Sequence, residues 1–174
     1  VIVDSTVQEK AIAHPVDSRF LEIARAKVVQ AAKFAGVLLK QTFVKEGREL
    51  RRKAGGEAHA KQFKRLRRTV KRQRTILGIV MREIQRKLST ASTDRPNRIT
   101  RLNTLLERAE RIRTQQPKDK NKLYALHAPE VECIGKGKAR KPYEFGVKTS
   151  IAVTHKSGLM VGARTFPGYP YDGH

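Results

Sequence analysis

Eight basic side chains crowd one stretch of this chain, Lys61, Lys64, Arg65, Arg67, Arg68, Lys71, Arg72 and Arg74, with no acid among them. The chemistry that suits such a run is recognition of a polyanion. A solvated helix face ordinarily mixes both signs and gains from pairing along its surface, so an unbroken basic run repels itself until phosphate arrives. The contacts would go mostly to phosphates, because Arg and Lys spread around a helix hold a duplex without necessarily reading its bases. The plain alternative is a solvated face. A second basic group, Lys136, Lys138, Arg140 and Lys141, is interleaved with Gly135 and Gly137, which let backbone amides approach an anion closely. It reads equally as a phosphate clamp or as a basic loop with no fixed ligand. Asp4 closes the apolar run Val1-Ile2-Val3, which would place a carboxylate at a strand end, where hard divalent cations are held; strand-end acids are also ordinary caps and turn residues.

The rest of the composition supports the polyanion reading. Lys and Arg number 38 against 16 Asp and Glu, a formal net charge of +22, beyond what solubility asks of a small domain. The candidates are DNA, RNA and an anionic membrane. No stretch approaches the roughly 18 consecutive apolar residues of a spanning helix, so a membrane-embedded protein is not expected. Cys133 is the single cysteine, which excludes an internal disulfide and a thiolate cluster, fits a cytoplasmic location and reads as a buried structural thiol. His14, His59, His127, His155 and His174 include no pair four apart on one helix face, as a helical zinc site prefers. Ser5 has no histidine in a hydrolase motif, and Gly135-Lys136-Gly137-Lys138 lacks the spacing and ending of a nucleotide-binding P-loop.

These residues need elements to position them. After the opening strand, Pro15 and Asp17-Ser18 signal a helix start, and Phe20, Ala24, Val28, Ala31, Ala35 and Leu38 recur at threes and fours, predicting one amphipathic helix bent at Gly36. Gly55-Gly56 is expected to break the pattern. A longer helix then runs to about Leu88, with Phe63, Leu66, Val70, Leu77, Val80 and Ile84 on a heptad-like seam and Gln73 and Lys87 at its two remaining positions. That imperfect seam predicts a helical hairpin whose second arm carries Ile99, Leu102, Leu106 and Ala109, beyond a breaker at 89–96. From Val131 onward strands are expected: Phe145, Val147, Ile151 and Val153 on one face of a first strand, a turn at His155 to Gly158, and Leu159, Val161 and Ala163 on one face of a second. Three strands in one sheet with the helices inserted after the first is the simplest arrangement. Both ends read as cut, since Val1 begins inside an apolar run and residues 166–174 are rich in turn formers.

The segment from Asp4-Ser5-Thr6-Val7 through His14-Pro15-Val16-Asp17 resembles the start of the catalytic domain in insertion-sequence DDE transposases of the IS-four/IS-five-like superfamily. The resemblance continues through Ala58-His59-Ala60-Lys61-Gln62-Phe63-Lys64-Arg65, resumes at Lys138-Ala139-Arg140-Lys141-Pro142-Tyr143-Glu144-Phe145-Gly146-Val147-Lys148, and covers Pro170-Tyr171-Asp172-Gly173-His174. Residues 89–121 match mainly in helical, basic character. The resemblance implies an α+β, mostly helical chain: an incomplete ribonuclease-H-like core, made of the first strand plus a β-hairpin, with a long basic helical insertion. The expected divisions are 1–16 for the first strand and loop, 17–128 for the insertion and 129–174 for the hairpin. It implies DNA cleavage and strand transfer in the complete enzyme, with Asp4 as the first catalytic acid and a Mg²⁺ ligand, DNA at the element ends and target as partner, and a nucleoid-associated location. It leaves a homodimer open. The second acid of the family lies in a segment resembling Val-Asp-x-Gly-Tyr and the third on a later helix near a Tyr and an Arg; this sequence has neither, and Asp172 sits in the motif that precedes the second acid. Two metal ions ~4 Å apart serve such phosphoryl transfer, and one carboxylate cannot hold them. The chain alone is therefore expected to bind DNA without cutting it. A noncatalytic nucleic-acid-binding protein is the competing expectation.

Overall fold

The computed structural model describes residues 1–12, 16–89, 96–137, 139–140 and 142–167. In chain order the elements are β1 (Ile2–Glu9), α1 (Asp17–Phe34), α2 (Val44–His59), α3 (Phe63–Leu88), α4 (Pro96–Thr114), β2 (Glu132–Gly135), β3 (Tyr143–Val153) and β4 (Met160–Phe166). The fold is α+β, with about half of the residues helical and one small antiparallel sheet. The chain divides into two compact units: Pro15–Lys122 carries the helices, and Val1–His14 joins Leu123–His174 to form the sheet unit. Residues 123–128, assigned with the helices from composition, thus group with the sheet. Among the described residues no helix is long and apolar enough to cross a membrane.

In the helical unit α1 is the hub, packing on α2, α3 and α4. Its apolar stripe, Phe20, Leu21, Ala24, Val28 and Ala32, is buried against Ile76, Leu77, Val80 and Ile84 of α3 and Leu102, Leu106, Ala109 and Ile112 of α4. The expected bend at Gly36 is a stop. Gly36 takes φ +83°, Gly36 N–H donates to Lys33 O (3.1 Å) and Val37 N–H to Ala32 O (2.9 Å), a left-handed closure that satisfies carbonyls the helix leaves open. Leu38, expected on the stripe, is exposed. Gly55-Gly56 breaks nothing: α2 runs through both, and the chain turns at Ala60 to Gln62 with Lys61 at φ +54°. Packing of α2 on α1 and α3 overrides the roughly 1 kcal/mol per residue that glycine costs a helix.

The seam positions of α3 that sequence counted as imperfections are tertiary anchors. Gln73 is 4% exposed and its Nε2 donates to Ser18 O (3.1 Å), while Lys87 Nζ donates to Leu38 O and pairs with Glu83 (2.8 Å). The expected α3–α4 hairpin is secondary, because α4 packs mainly on α1. Phe63, at the first turn of α3, is exposed. Between α1 and α2 lies a buried ion pair: Arg25 Nε and Nη2 donate to the two oxygens of Glu22 (2.8 and 2.7 Å), and Nη1 donates to Thr42 O (2.6 Å). Gly47 is what lets α2 approach it, since a Cβ there would lie 2.2 Å from Glu22 Oε2.

The sheet is built around β3. β1 covers one edge of β3 along residues 146–153, and the other edge is shared by β2 over 143–146 and β4 over 148–153. Four strands, not the three expected, make it, because Glu132–Gly135 lies in a segment read only as glycine-punctuated. Gly146 sits where β1 comes closest; a Cβ there would lie 2.1 Å from Gln8 O. A small core of Ala125, Ala128 and Val131, with Ile12, Tyr124 and Phe145 against it, supports the unit. The burial of β3 reverses the expectation. Phe145, Val147, Ile151 and Val153 are only half-buried, with Thr149 the one buried residue of their face, whereas Glu144, Gly146 and Lys148 of the other face are buried. The pleat keeps alternate residues on one face, but tertiary packing decides which face is covered. Cys133, expected buried, is half-buried. Burial pushes the Tyr124 hydroxyl above its ordinary range, and neighbouring Cys133 adds to the shift.

Candidate nucleic-acid interface

α3 is helical because straight-chain Lys, Arg, Gln and Leu lose little rotamer freedom there and because its Ile76, Leu77, Val80 and Ile84 face the core. At about 100° per residue, Lys64, Arg67, Arg68 and Lys71 fall on the half of the helix opposite that core, with Arg72 and Arg74 at its borders and Arg65 close to the line of Ile76. All but Arg74 are exposed. The segment from Lys64 to Arg74 is about 15 Å long, a length over which each strand of a duplex presents about four phosphates.

Tertiary packing divides the run. Arg72 is held by Glu46 of α2, Nε donating to Oε1 at 2.7 Å and Nη2 to Oε2 at 3.2 Å, and the hydrogen bond that this carboxylate accepts raises its pKa above the ordinary guanidinium value. Arg74 lies 3.6 Å from Asp17 and donates from Nη2 to Gln115 O (3.1 Å). Both corrections have one cause: acids distant in sequence arrive when α1 and α2 pack on α3. Lys61 departs from its expected place on the long helix and occupies the turn before it. Among the described residues, none of Lys61, Lys64, Arg65, Arg67, Arg68 and Lys71 pairs with a carboxylate; Arg65 Nη1 donates to Gln62 Oε1 (3.0 Å). Two cations outside the run join this surface. Lys53 lines a cleft with Arg65 and Arg68, and Arg51 lines another with Arg67 and Lys71. Their signal in the sequence was the basic density at Arg48, Arg51, Arg52 and Lys53, which mixed signs with Glu46 and Glu49 concealed.

The second basic group is less coherent. Lys138 and Lys141 lie outside the described residues. Lys136 lies 4.0 Å from Glu144, and Lys136 N–H donates to Pro142 O (2.9 Å), closing the loop in which Gly137 takes φ +64°. Arg140 is exposed and lines a cleft of about 470 Å³ with Glu9, Lys10 and Tyr143. The acids here temper the clamp reading.

Asp4 is not at the end of its strand. β1 continues to Glu9 because Ser5 to Glu9 pair with Gly146 to Ser150 of β3, so Asp4 stands third in an eight-residue strand, opposite Ile151. It is exposed, and its Oδ1 accepts the Ser5 N–H (2.8 Å). Among the described residues no three His, Cys, Asp or Glu side chains form a group able to hold a metal ion. The donor set around Asp4 therefore does not fit the Mg²⁺ pair that the resemblance implies. Asp172 and His174 lie outside the described residues.

No protein-family model matches the chain, and no solved structure matches it. It is similar to an uncharacterized protein, ORF8 in nfe locus, of Rhizobium meliloti, with 44% identity over 63 residues. That match covers 36% of this chain and 30% of the Rhizobium protein, so the chain spans less than a third of that relative.

Proposed function

We propose that this chain is part of a bacterial insertion-sequence transposase of the DDE class, in which the helical unit grips DNA through phosphates and the sheet is the opening portion of a ribonuclease-H-like core. The observation that carries the proposal is the face of α3: Lys64, Arg65, Arg67, Arg68 and Lys71, all exposed and all without a carboxylate partner among the described residues. Cations left without acids along about 10 Å of helix are a self-repelling arrangement that phosphate relieves. The topology supports the second half of the reading. β1 pairs with β3 and β3 with β4, an antiparallel run of three strands interrupted by the whole helical unit between the first and second. In this reading Asp4 is the first acid of the complete enzyme, and strand transfer requires acids beyond those of this chain.

The test is binding of a labelled duplex by fluorescence anisotropy across a salt series. With five phosphates neutralised and a log-log slope of about −0.9 per phosphate, affinity falls about 500-fold for a fourfold rise in salt. Changing all five residues to Gln flattens that slope. A response to salt that is flat in the unmodified chain overturns the proposal.

A second reading, a noncatalytic basic nucleic-acid-binding protein, is favoured by the exposed position of Asp4 and the absence of a metal-holding group among the described residues. Asp4→Ala in a chain that carries the other two acids separates the two. Loss of cleavage with binding retained supports the transposase; unchanged cleavage removes Asp4 from the chemistry.

A further inference from the structure

One groove of the helical unit is apolar within and basic at its rim. Ala54, Gly55 and Ala58 line it from α2, and Leu66 and Val70, about one turn apart, line it from α3. Val16, 49% exposed, extends the apolar lining. The volume is about 840 Å³, within the range that takes several aliphatic side chains. An apolar hollow of this kind, open to solvent and rimmed by charge, marks a binding surface. Among the described residues no aromatic ring lines it, so it offers no platform on which a base could stack.

Gly55 points to what enters. Glycine is a poor residue for a helix interior, and at Gly47 the reason for one is visible, since a Cβ would collide with Glu22. At Gly55 a Cβ would meet nothing within 4 Å, so among the described residues no contact calls for its small size. A backbone laid against α2 from outside would call for it. A groove between two helices takes the ridge of a third, which is the ordinary mode of helix recognition.

The rim sets the charge of that helix. Arg51 precedes Ala54 and Gly55 on α2, while Arg67 and Lys71 adjoin Leu66 and Val70 on α3, so cations flank the apolar strip on both sides. All three are exposed, and among the described residues none pairs with a carboxylate. Asp17, the one acid of the lining, lies 3.6 Å from Arg74. Arg67 and Lys71 stand about 6 Å apart along the axis, the spacing of two acids at i and i+4 on a facing helix. A second copy of this chain does not meet the demand, because each of its four helices carries more Lys and Arg than Asp and Glu.

We propose that this groove docks an amphipathic helix of an acidic partner protein, with its apolar ridge between α2 and α3 and its acids on Arg51, Arg67 and Lys71. The inference goes beyond the phosphate grip of α3 and stands without it, although the two surfaces share Arg67 and Lys71.

The test titrates the full chain into a labelled synthetic peptide of about 18 residues, long enough to hold a helix, with leucines at helical spacing along one face and glutamates on both flanks of it. Fluorescence anisotropy is expected to show binding that weakens at least tenfold when the leucines become serines and at least tenfold when the glutamates become glutamines. Gly55→Lys puts a side chain into the groove, suits the helix better than glycine and adds a positive charge. Attraction by charge alone would therefore tighten on this variant, whereas a seat in the groove weakens at least fivefold. If Gly55→Lys lowers the thermal melt, Ala58→Lys, also at an exposed position, serves instead with the same expectation. A peptide that fails to bind, that binds equally without its leucines, or that is indifferent to the filled groove overturns the proposal. So does an oligodeoxythymidylate that binds in its place and is weakened by Gly55→Lys, which would assign the groove to a nucleic-acid strand. Duplex affinity measured on Gly55→Lys does not fall, so the groove and the α3 surface fail or survive separately.

Discussion

The two units of this chain bury residues by different means. In the helical unit four helices enclose a continuous apolar core, in which buried Glu22 is matched by Arg25 and buried Glu57 accepts a hydrogen bond from the Thr69 hydroxyl. In the sheet unit a small core sits beside two strands, β1 and β4, whose side chains remain largely in solvent: every residue of β4 except Phe166 is exposed, including Met160 and Val161. The comparison teaches where an unusually basic chain can place its charge. A helix with a well-buried stripe can carry seven cations on the rest of its circumference, because stripe and face are separated by the helical period. A strand offers only two faces, and β3 buries Glu144 and Lys148 on the one it covers.

The largest expected effect that sharpens this contrast is at the buried pair. Arg25→Ala leaves Glu22 uncompensated and costs about 3–5 kcal/mol, read as a shift of the urea midpoint, whereas replacing Glu22 and Arg25 together by Leu and Met is close to neutral. An equal loss in both variants would mean that packing, not the charge, holds α1 to α2. Next is a matched pair of truncations. Leu77→Ala removes a fully buried side chain of the helical core and costs about 2–5 kcal/mol, and Val161→Ala in β4 changes stability by less than about 0.5 kcal/mol. Similar losses would break the comparison. Gly146→Ala follows: its Cβ meets the backbone at Gln8, so overpacking costs the sheet unit about 1–3 kcal/mol, seen as faster amide exchange in β1 and β3 with the helices unchanged.

The smallest effect is on acid stability. The Lys87 ammonium, with the Lys40 N–H, holds the Glu83 carboxyl below its ordinary range, and Arg113 does the same for Glu110. A carboxylate with a depressed folded-state pKa contributes stability that is present above its unfolded pKa and lost as pH falls through the folded one. The helical unit therefore weakens as pH falls through and below the ordinary carboxylate range, and Glu83→Gln combined with Glu110→Gln flattens that dependence. An unchanged acid melt in the double variant would remove these two pairs from the account.

Much of the helical unit was legible in order. Phe20, Ala24 and Val28 announce α1, and Leu77, Val80 and Ile84 announce the buried side of α3, because a 3.6-residue period is written locally. The turn from His155 to Gly158 was equally local, with Gly158 at φ +64° and Thr154 Oγ1 accepting the Leu159 N–H (3.0 Å). The sequence misled where a local signal met a distant partner. Gly55-Gly56 looks like a break yet lies within α2, Gln73 looks like a flaw in a seam yet ties α3 to α1, and Arg72 looks free yet meets Glu46, 26 residues away.

What the sequence determined by itself was the excess of positive charge, its concentration on one helix, and the succession of strand, helices and strands. These depend on composition and on periods of two and 3.6 residues, which no packing alters. What only the tertiary structure decided was which cations keep their charge unpaired and which face of β3 is covered. Those outcomes rest on contacts between residues far apart in the chain, where the distance from a carboxylate or the loss of water at a buried atom is fixed by how helices pack.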